Sequence, residues 1–322
     1  MRREGSPFTG LGAVFVKEFA DHLGGARNFV LQALVVLIGI FPVYVAIRDI
    51  RASSANEPFL YLLLFTYSSE QMPVPALMTL LSLLIPLVAV GLAFDSVNGE
   101  FARRTMSRIL AQPIYRDALL LGKFLAALAT VTVALVALWL LILGVGLLAL
   151  GVPPGGPEVL RGCAFLLVAI AYAGVWLGVA MLFSVAMRSA ASAALCALGV
   201  WLFFTILWPI MAQVAAQTIA PPDLVYAARG LTDPDNAAWS LALSRLSPNT
   251  LFFESAQPLL NPSQRSLGLV FVSQLQGMVH GAPLPVGQSL LLAWPQITAL
   301  VAAMIVVFAL AYVVFQRQEV RA

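Results

Sequence analysis

At 322 residues, with 61% of them hydrophobic, 10% charged and a mean hydropathy of +0.92, the chain departs from any ordinary soluble domain, in which about a quarter of residues carry charge. The formal charge of +3 is modest and takes its meaning from where the charges sit. Two cysteines, Cys163 and Cys196, both in apolar runs, support neither a disulfide nor a metal site. The expected fold is all-α: a polytopic membrane protein of six transmembrane helices, with an N-terminal amphipathic interfacial helix and a small extracytoplasmic helical region.

Residues 1–28 place Arg2, Arg3, Lys17 and Arg27 among Glu4, Glu18 and Asp21. Charges at 17–22 interrupt the apolar run that a cleavable signal needs, so no segment is expected to be removed. Phe8, Leu11, Val14, Phe15, Phe19 and Leu23 recur near helical spacing, which predicts an amphipathic helix over 8–25 at the cytoplasmic interface. The alternative is a solvated helix packed on nothing in particular, with His22 a solvated side chain.

The first span is 29–47, about the twenty apolar residues a bilayer requires. An apolar piece at 58–67 is too short to span and too apolar to be exposed, so it reads as an interfacial or packed extracytoplasmic segment. The second span is 76–94. The third, 118–150, starts with Lys123 placed to snorkel. Gly151 to Pro157 is a turn-rich break. The fourth span, 161–187, carries Gly174 and Gly178 at GxxxG spacing, a helix-packing signature. After the turn at Arg188 the fifth span covers 190–219, with an aromatic anchor and kink at Trp208-Pro209.

Residues 220–288 are expected to form an extracytoplasmic subdomain of short, proline-bounded helices over 237–246 and 264–276, acting together with 52–75 either as an outer gate or as a structural cap. The last span is 289–315. Six spans return both termini to one side. Twelve of the eighteen Lys and Arg residues fall in the N-terminus, the 95–117 loop with Lys123, the 188 turn and the tail, so that side is predicted to be cytoplasmic.

The loop itself concentrates charge. Between Phe94 and Phe124 five cations (Arg103, Arg104, Arg108, Arg116, Lys123) face three acids (Asp95, Glu100, Asp117). Asn98-Gly99 offers a helix start, Glu100 suits the positive end of its dipole, and Glu100 with Arg104 stands at i,i+4 in the favourable order. Phe101, Thr105 and Ile109 would share a face. Gln112-Pro113 stops that helix, and Asp117 can cap the next.

Gly99-Glu100, Thr105, a small apolar run, Gln112-Pro113-Ile114, Arg116-Asp117 and Leu121-Gly122-Lys123 together resemble the cytoplasmic signature of ABC-2 type transporter permeases. The family pattern has Gly before the Thr, where this chain has Arg104. The resemblance is greatest to the branch that includes the maturation transporter for nitrous-oxide reductase. It implies that the 95–117 loop is a coupling helix docking on a separate ATPase, through Asn98, Gly99, Glu100, Phe101, Arg103, Arg104, Thr105, Arg108, Pro113 and Arg116. The implied assembly is a homodimer of permeases with two ATPase copies, in the bacterial inner membrane and in contact with lipid. An extracytoplasmic protein is a further candidate partner; nucleic acid is not. ATP and Mg would be bound by the ATPase, with no cofactor in this chain.

Other chemistries lack residues. The sequence has no Gly-x-x-x-x-Gly-Lys-Ser/Thr, no HExxH and no Gly-x-Ser-x-Gly, which argues against an enzyme. The histidines, His22 and His280, fall on opposite sides in this topology. An ion-coupled secondary transporter is the first alternative, but the middle of all six spans is free of ionisable residues, the groups that couple to a gradient. A non-transporting assembly or scaffold protein is the second, and it gives no reason for the loop pattern.

Overall fold

A computed structural model of the chain describes residues 9–52, 59–68, 74–106, 111–112, 114–223, 226, 233–263 and 283–317. Among these, every regular element is helical: α1 (Leu11–Gly24), α2 (Ala26–Ala52), α3 (Leu60–Thr66), α4 (Leu77–Ala93), α5 (Asn98–Ala102), α6 (Arg116–Leu150), α7 (Gly156–Ala186), α8 (Ala190–Leu202), α9 (Trp208–Ile219), α10 (Pro234–Ser244), α11 (Pro248–Leu260) and α12 (Val286–Arg317). One π-helical turn, Phe203–Leu207, joins α8 to α9. Six stretches are long and apolar enough to cross a membrane: Phe29–Ala52, Leu77–Ala102, Arg116–Leu150, Gly156–Ala186, Ala190–Ile219 and Val286–Arg317. The chain is an integral membrane protein. The expected helix over 264–276, with Phe271 and Leu275, lies outside the described residues.

The fourth span begins earlier than residue 161. Pro157 falls in the first turn, where its missing N–H costs nothing, and Glu158 reaches back to accept the Gly155 N–H at 2.7 Å. The other oxygen of Glu158 accepts the N–H of Tyr61 at 2.9 Å, and the Tyr61 hydroxyl donates to the Val152 carbonyl at 2.7 Å. These bonds fix α3 inside the bundle: Tyr61, Leu62, Leu64 and Phe65 are all buried. Of the two readings of the 58–67 piece, the packed one is observed.

Helix α7 is the centre of the molecule. From Ala171 to Met181 every residue is buried, as expected of a helix apolar on all faces. Lipid tails are as apolar as leucine, so helices gain by close packing rather than by escaping water. A Cβ on Gly178 would lie 3.2 Å from Val307 Cγ1 and 3.5 Å from the backbone nitrogen of Phe308, and one on Gly174 would strike Met304. The pair is where α12 lies against α7. The fifth span contrasts with this: only Ala193, Ala197, Ala212 and Ala216 are buried along it, while Leu195, Ile206, Ile210 and Val214 are exposed.

The helices between the fifth and sixth spans differ from the expected outer subdomain. Asn236 Nδ2 donates to the Ala220 carbonyl at the end of α9 (2.8 Å), Trp208 Nε1 donates to the Leu243 carbonyl (2.9 Å), and Ser247 Oγ donates to the Phe204 carbonyl (2.9 Å). Helix α10 therefore runs back along the fifth span from Ala220 to Phe204, about 24 Å at about 1.5 Å per residue. Phe204 is mid-span, and its carbonyl, inside the π-helical turn, is met by Ser247. Helix α11 returns along α7: Tyr172 stacks on Phe252 with centroids 4.6 Å apart, and Arg161 Nη1 donates to the carbonyls of Pro258 (3.0 Å) and Leu259 (3.3 Å) and to Ser289 Oγ (2.9 Å). Residues 234–260 form a re-entrant hairpin whose tip sits at the middle of the bundle. Helix α11 tolerates prolines and polar groups because protein surrounds it, with Glu254, Ser255 and Pro258 buried; α10 buries only Asn236 and Ala237 and leaves Trp239 exposed.

Candidate coupling site

The loop between α4 and α6 is held from three directions. Helix α5 begins with Val97 and Asn98, whose N–H groups both donate to Ser184 Oγ of α7, at 3.0 and 3.4 Å. A serine from another span thus does the work of an N-cap residue.

The far end closes as a Schellman motif. The Thr105 N–H donates to the Glu100 carbonyl at 3.0 Å and the Arg104 N–H to the Phe101 carbonyl at 3.1 Å, the paired bonds that end a helix through a left-handed residue. Arg104 is that residue, with φ 56°. Thr105 Oγ1 adds a second bond to the Glu100 carbonyl at 3.2 Å. This explains the family's Gly-Thr: the position is left-handed, and Gly adopts it without a Cβ clash. It also corrects the expected longer helix. With α5 ended at Ala102 and Arg104 beyond it, the i,i+4 pairing of Glu100 with Arg104 has no helix to stand on.

Glu100 instead points inward. Its Oε1 accepts from Lys123 Nζ at 2.6 Å, and the same ammonium reaches Glu18 Oε1 of α1 at 2.9 Å. Lys123 is 4% exposed, so it does not snorkel to water as expected but sits between two carboxylates. Lys17 extends the row, 2.8 Å from Glu18 and 3.1 Å from Asp21. Burial works against the Glu18 carboxylate, yet the nearby Lys123 charge and hydrogen bonds from Lys17 and Lys123 outweigh it and hold its pKa below the usual value. Burial likewise opposes the Lys17 ammonium, and Glu18 and Asp21 reverse the sign, raising its pKa.

Helix α1 comes close enough for this contact because Gly122 is bare. A Cβ there would lie 2.7 Å from Val14 Cγ1 and 3.5 Å from the Leu11 carbonyl. The start of α1 rests on Ile114, against which Gly10 packs with φ 88°. Leu-Gly-Lys and the residue after Pro113 are thus both parts of one cradle for α1. Asp117 does not cap α6, which has Tyr115 at its N-cap; it accepts a hydrogen bond from Gln316 Nε2 at the end of α12.

The expected interface residues divide into two groups. Asn98 and Glu100 are buried, while Phe101, Arg103 and Arg104 are exposed; Gly99, Thr105 and Arg116 are intermediate. Arg103 folds back over Gly99, where a Cβ would lie 3.2 Å from its Nη2. Arg108 and Pro113 lie outside the described residues. Between the loop and α1 opens a recess of about 690 Å³, walled by Lys17, Asp21, His22, Asp95, Arg103 and Gln112. The site presents an aromatic ring and two guanidinium groups outward, the residue types that anchor protein interfaces. Behind them a buried ion row ties α5, α1 and α6 together. Sequence reasoning missed Glu18 and Ser184; the only available signal was Lys123 itself, a cation inside an apolar helix that must be paired or at the surface.

The chain matches the family described as ABC-2 family transporter protein over residues 12–320. It belongs to that family. A probable ABC transporter permease protein NosY from Stutzerimonas stutzeri is 27% identical over 308 residues, covering 94% of this chain and 96% of the relative. A protein of the same description from Pseudomonas aeruginosa is 32% identical over 216 residues, covering 60% of this chain and 66% of the relative. These relatives lie in the branch to which the loop resemblance pointed. The ABC-2 membership makes this chain a transporter permease subunit and implies an ATPase partner, and the matched range takes in the whole ion row from Glu18 to Lys123.

Proposed function

We propose that this chain is the membrane half of an ATP-driven, exporter-like transporter, in which α5 docks on a separate ATPase that binds ATP and Mg. Phe101, Arg103 and Arg104 make the contact. Glu100, Lys123 and Glu18 carry its displacement into α6 and α1, because an ion row buried at 2.6 and 2.9 Å moves as one body. Two permeases and two ATPases form the working unit, since two ATPases need two docking loops and identical chains pair by twofold symmetry. The end bearing α1 and α5 faces the cytoplasm of the inner membrane, following the excess of Lys and Arg there. The observation that carries this reading is the division of one short helix into an exposed contact face and a buried, charge-locked face.

The re-entrant hairpin supplies one observation for the rival ion-coupled carrier: Arg245 and Glu254 bring charge to mid-span depth, which the six spans themselves lack. The two readings separate on the energy source. The permease expressed with its ATPase should co-purify with it, and replacing Phe101, Arg103 and Arg104 together by Ala should abolish co-purification while the permease still inserts. Full function with an ATPase whose phosphate-binding lysine has been replaced would favour the carrier.

A further inference from the structure

Helix α5 is charge-locked on one side and thinly held on another. Among the described residues, the hydrogen bonds that join it to α7 both end on one oxygen, Ser184 Oγ, and the second is long at 3.4 Å. Close to that tie in sequence stand four buried polar atoms with no hydrogen-bond partner in the protein: Ser96 Oγ, Asn98 Nδ2, Asn98 Oδ1 and Glu100 Oε2. Asn98 is 2% exposed, so its whole carboxamide, two N–H donors and a carbonyl acceptor, is withdrawn from water with nothing in return. Such a group costs free energy that an apolar side chain of the same shape would not. Native proteins leave few of them, and here they cluster on the short helix that the docking reading requires to move.

We propose that α5 is a two-position element: the seated pose is held by Ser184 and opposed by Ser96, Asn98 and Glu100, and in a second pose α5 has parted from α7 so that these groups reach water. Lys123 and Glu18 travel with Glu100, because charge-assisted bonds outlast two bonds to a neutral hydroxyl. The parting therefore falls at α7 and leaves the ion row whole. An ATPase that binds the parted pose better than the seated one shifts the population by the ratio of its two affinities, and the unfilled groups lower the ratio it must supply. This deepens the docking reading and rests on it for the identity of the ligand that selects the second pose.

The test begins with the full-length permease alone. Asn98→Leu, which keeps the branched shape and removes the unfilled groups, should raise the melting temperature in detergent by about 2–4 °C. Ser96→Ala should raise it too, and Ser184→Ala, which deletes the hold, should lower it. In a background lacking Cys163 and Cys196, a thiol introduced by Met106→Cys, where the native side chain is 2% exposed, reports the parting. Its labelling by a maleimide should be about tenfold faster in Ser184→Ala and about tenfold slower in Asn98→Leu, as when the parted population changes by that factor. With the ATPase added, Asn98→Leu should weaken its binding by the same factor, through linkage, although Phe101, Arg103 and Arg104 are untouched. A melting temperature lowered by Asn98→Leu or by Ser96→Ala, as bound water filling these groups would cause, overturns the proposal, and so does labelling that ignores Ser184→Ala. If the Asn98→Leu protein does not accumulate, Ser96→Ala decides. The melting and labelling need no ATPase, so failure of the docking reading, seen as an ATPase that does not bind the unaltered permease, leaves their outcome untouched.

Discussion

Lys123 and Glu100, twenty-three residues apart in sequence, meet at 2.6 Å with 4% and 7% of their side chains exposed. Such a pair is not a source of net stability compared with apolar packing, but removing one partner strands the other. Lys123→Met should destabilise the protein by about 3–5 kcal/mol, because Glu100 would remain as a buried carboxylate without its cation. Combining it with Glu100→Leu should restore part of the loss. Denaturant unfolding in detergent of the single and double variants measures this; equal losses in both would show that the pair is not coupled.

Arg104 holds a left-handed conformation at φ 56°. Arg104→Gly should therefore stabilise the loop, by about 1 kcal/mol, and Arg104→Val should destabilise it by at least as much. Amide exchange at Thr105, whose N–H closes the turn onto Glu100, is the readout. Faster exchange in the glycine variant would contradict the Schellman assignment.

The clamp on α1 should release in acid, while at high pH only the pairing of Lys17 with Glu18 and Asp21, all within α1, is lost. Glu18 has its pKa lowered from 4.5, so its contribution is present above 4.5 and disappears as pH falls through the depressed folded value. Lys17 has its pKa raised from 10.5, so its contribution is present below 10.5 and disappears as pH rises through the elevated one. In a background without other cysteines, Val14→Cys should be protected at neutral pH from a pyridyl disulfide, a reagent that protonation activates and that therefore still attacks thiols in acid, and should become reactive as pH falls through the Glu18 value. Glu18→Gln should remove the acid limb. Reactivity at neutral pH would mean that α1 is not docked on Gly122.

The spans were legible because a bilayer demands about twenty apolar residues, and no soluble context mimics runs such as 76–94. The ends of α7 and α6 were less so: Pro157 reads as a breaker until Glu158 is seen to close the first turn. The hairpin was misplaced because Pro221-Pro222, Asp233-Pro234, Asn249 and Glu254 look like water-facing residues. Asn249 and Glu254 descend because α7 and α12 meet them through Tyr172 and Gln296, while Pro221, Pro222 and Pro234 stay exposed at the end of the fifth span, and such shielding is a property of the assembled bundle. In the loop, the order of residues pointed to the contact face of α5. The buried face escaped notice because Lys123 and Glu18 are 105 residues apart, and no local pattern joins them.

Packing of α7 on α12 gives a direct comparison. Gly178→Leu should destabilise by about 1–3 kcal/mol through overpacking against Val307 and the Phe308 backbone. Gly144→Leu, at a position open for at least 4 Å around a built Cβ, should change little. Equal effects would remove the close-approach role of Gly178.

The most direct test of the account is site-specific photo-cross-linking from α5 in the presence of the ATPase. A benzoylphenylalanine at Phe101, 37% exposed, should capture the ATPase, whereas the same group at Leu148, 87% exposed at the other end of the bundle, should not. Capture from 101 should persist in Glu100→Gln, while the ATP-dependent change in its yield should be lost. Absence of capture at 101, or equal capture from 148, would contradict docking through α5.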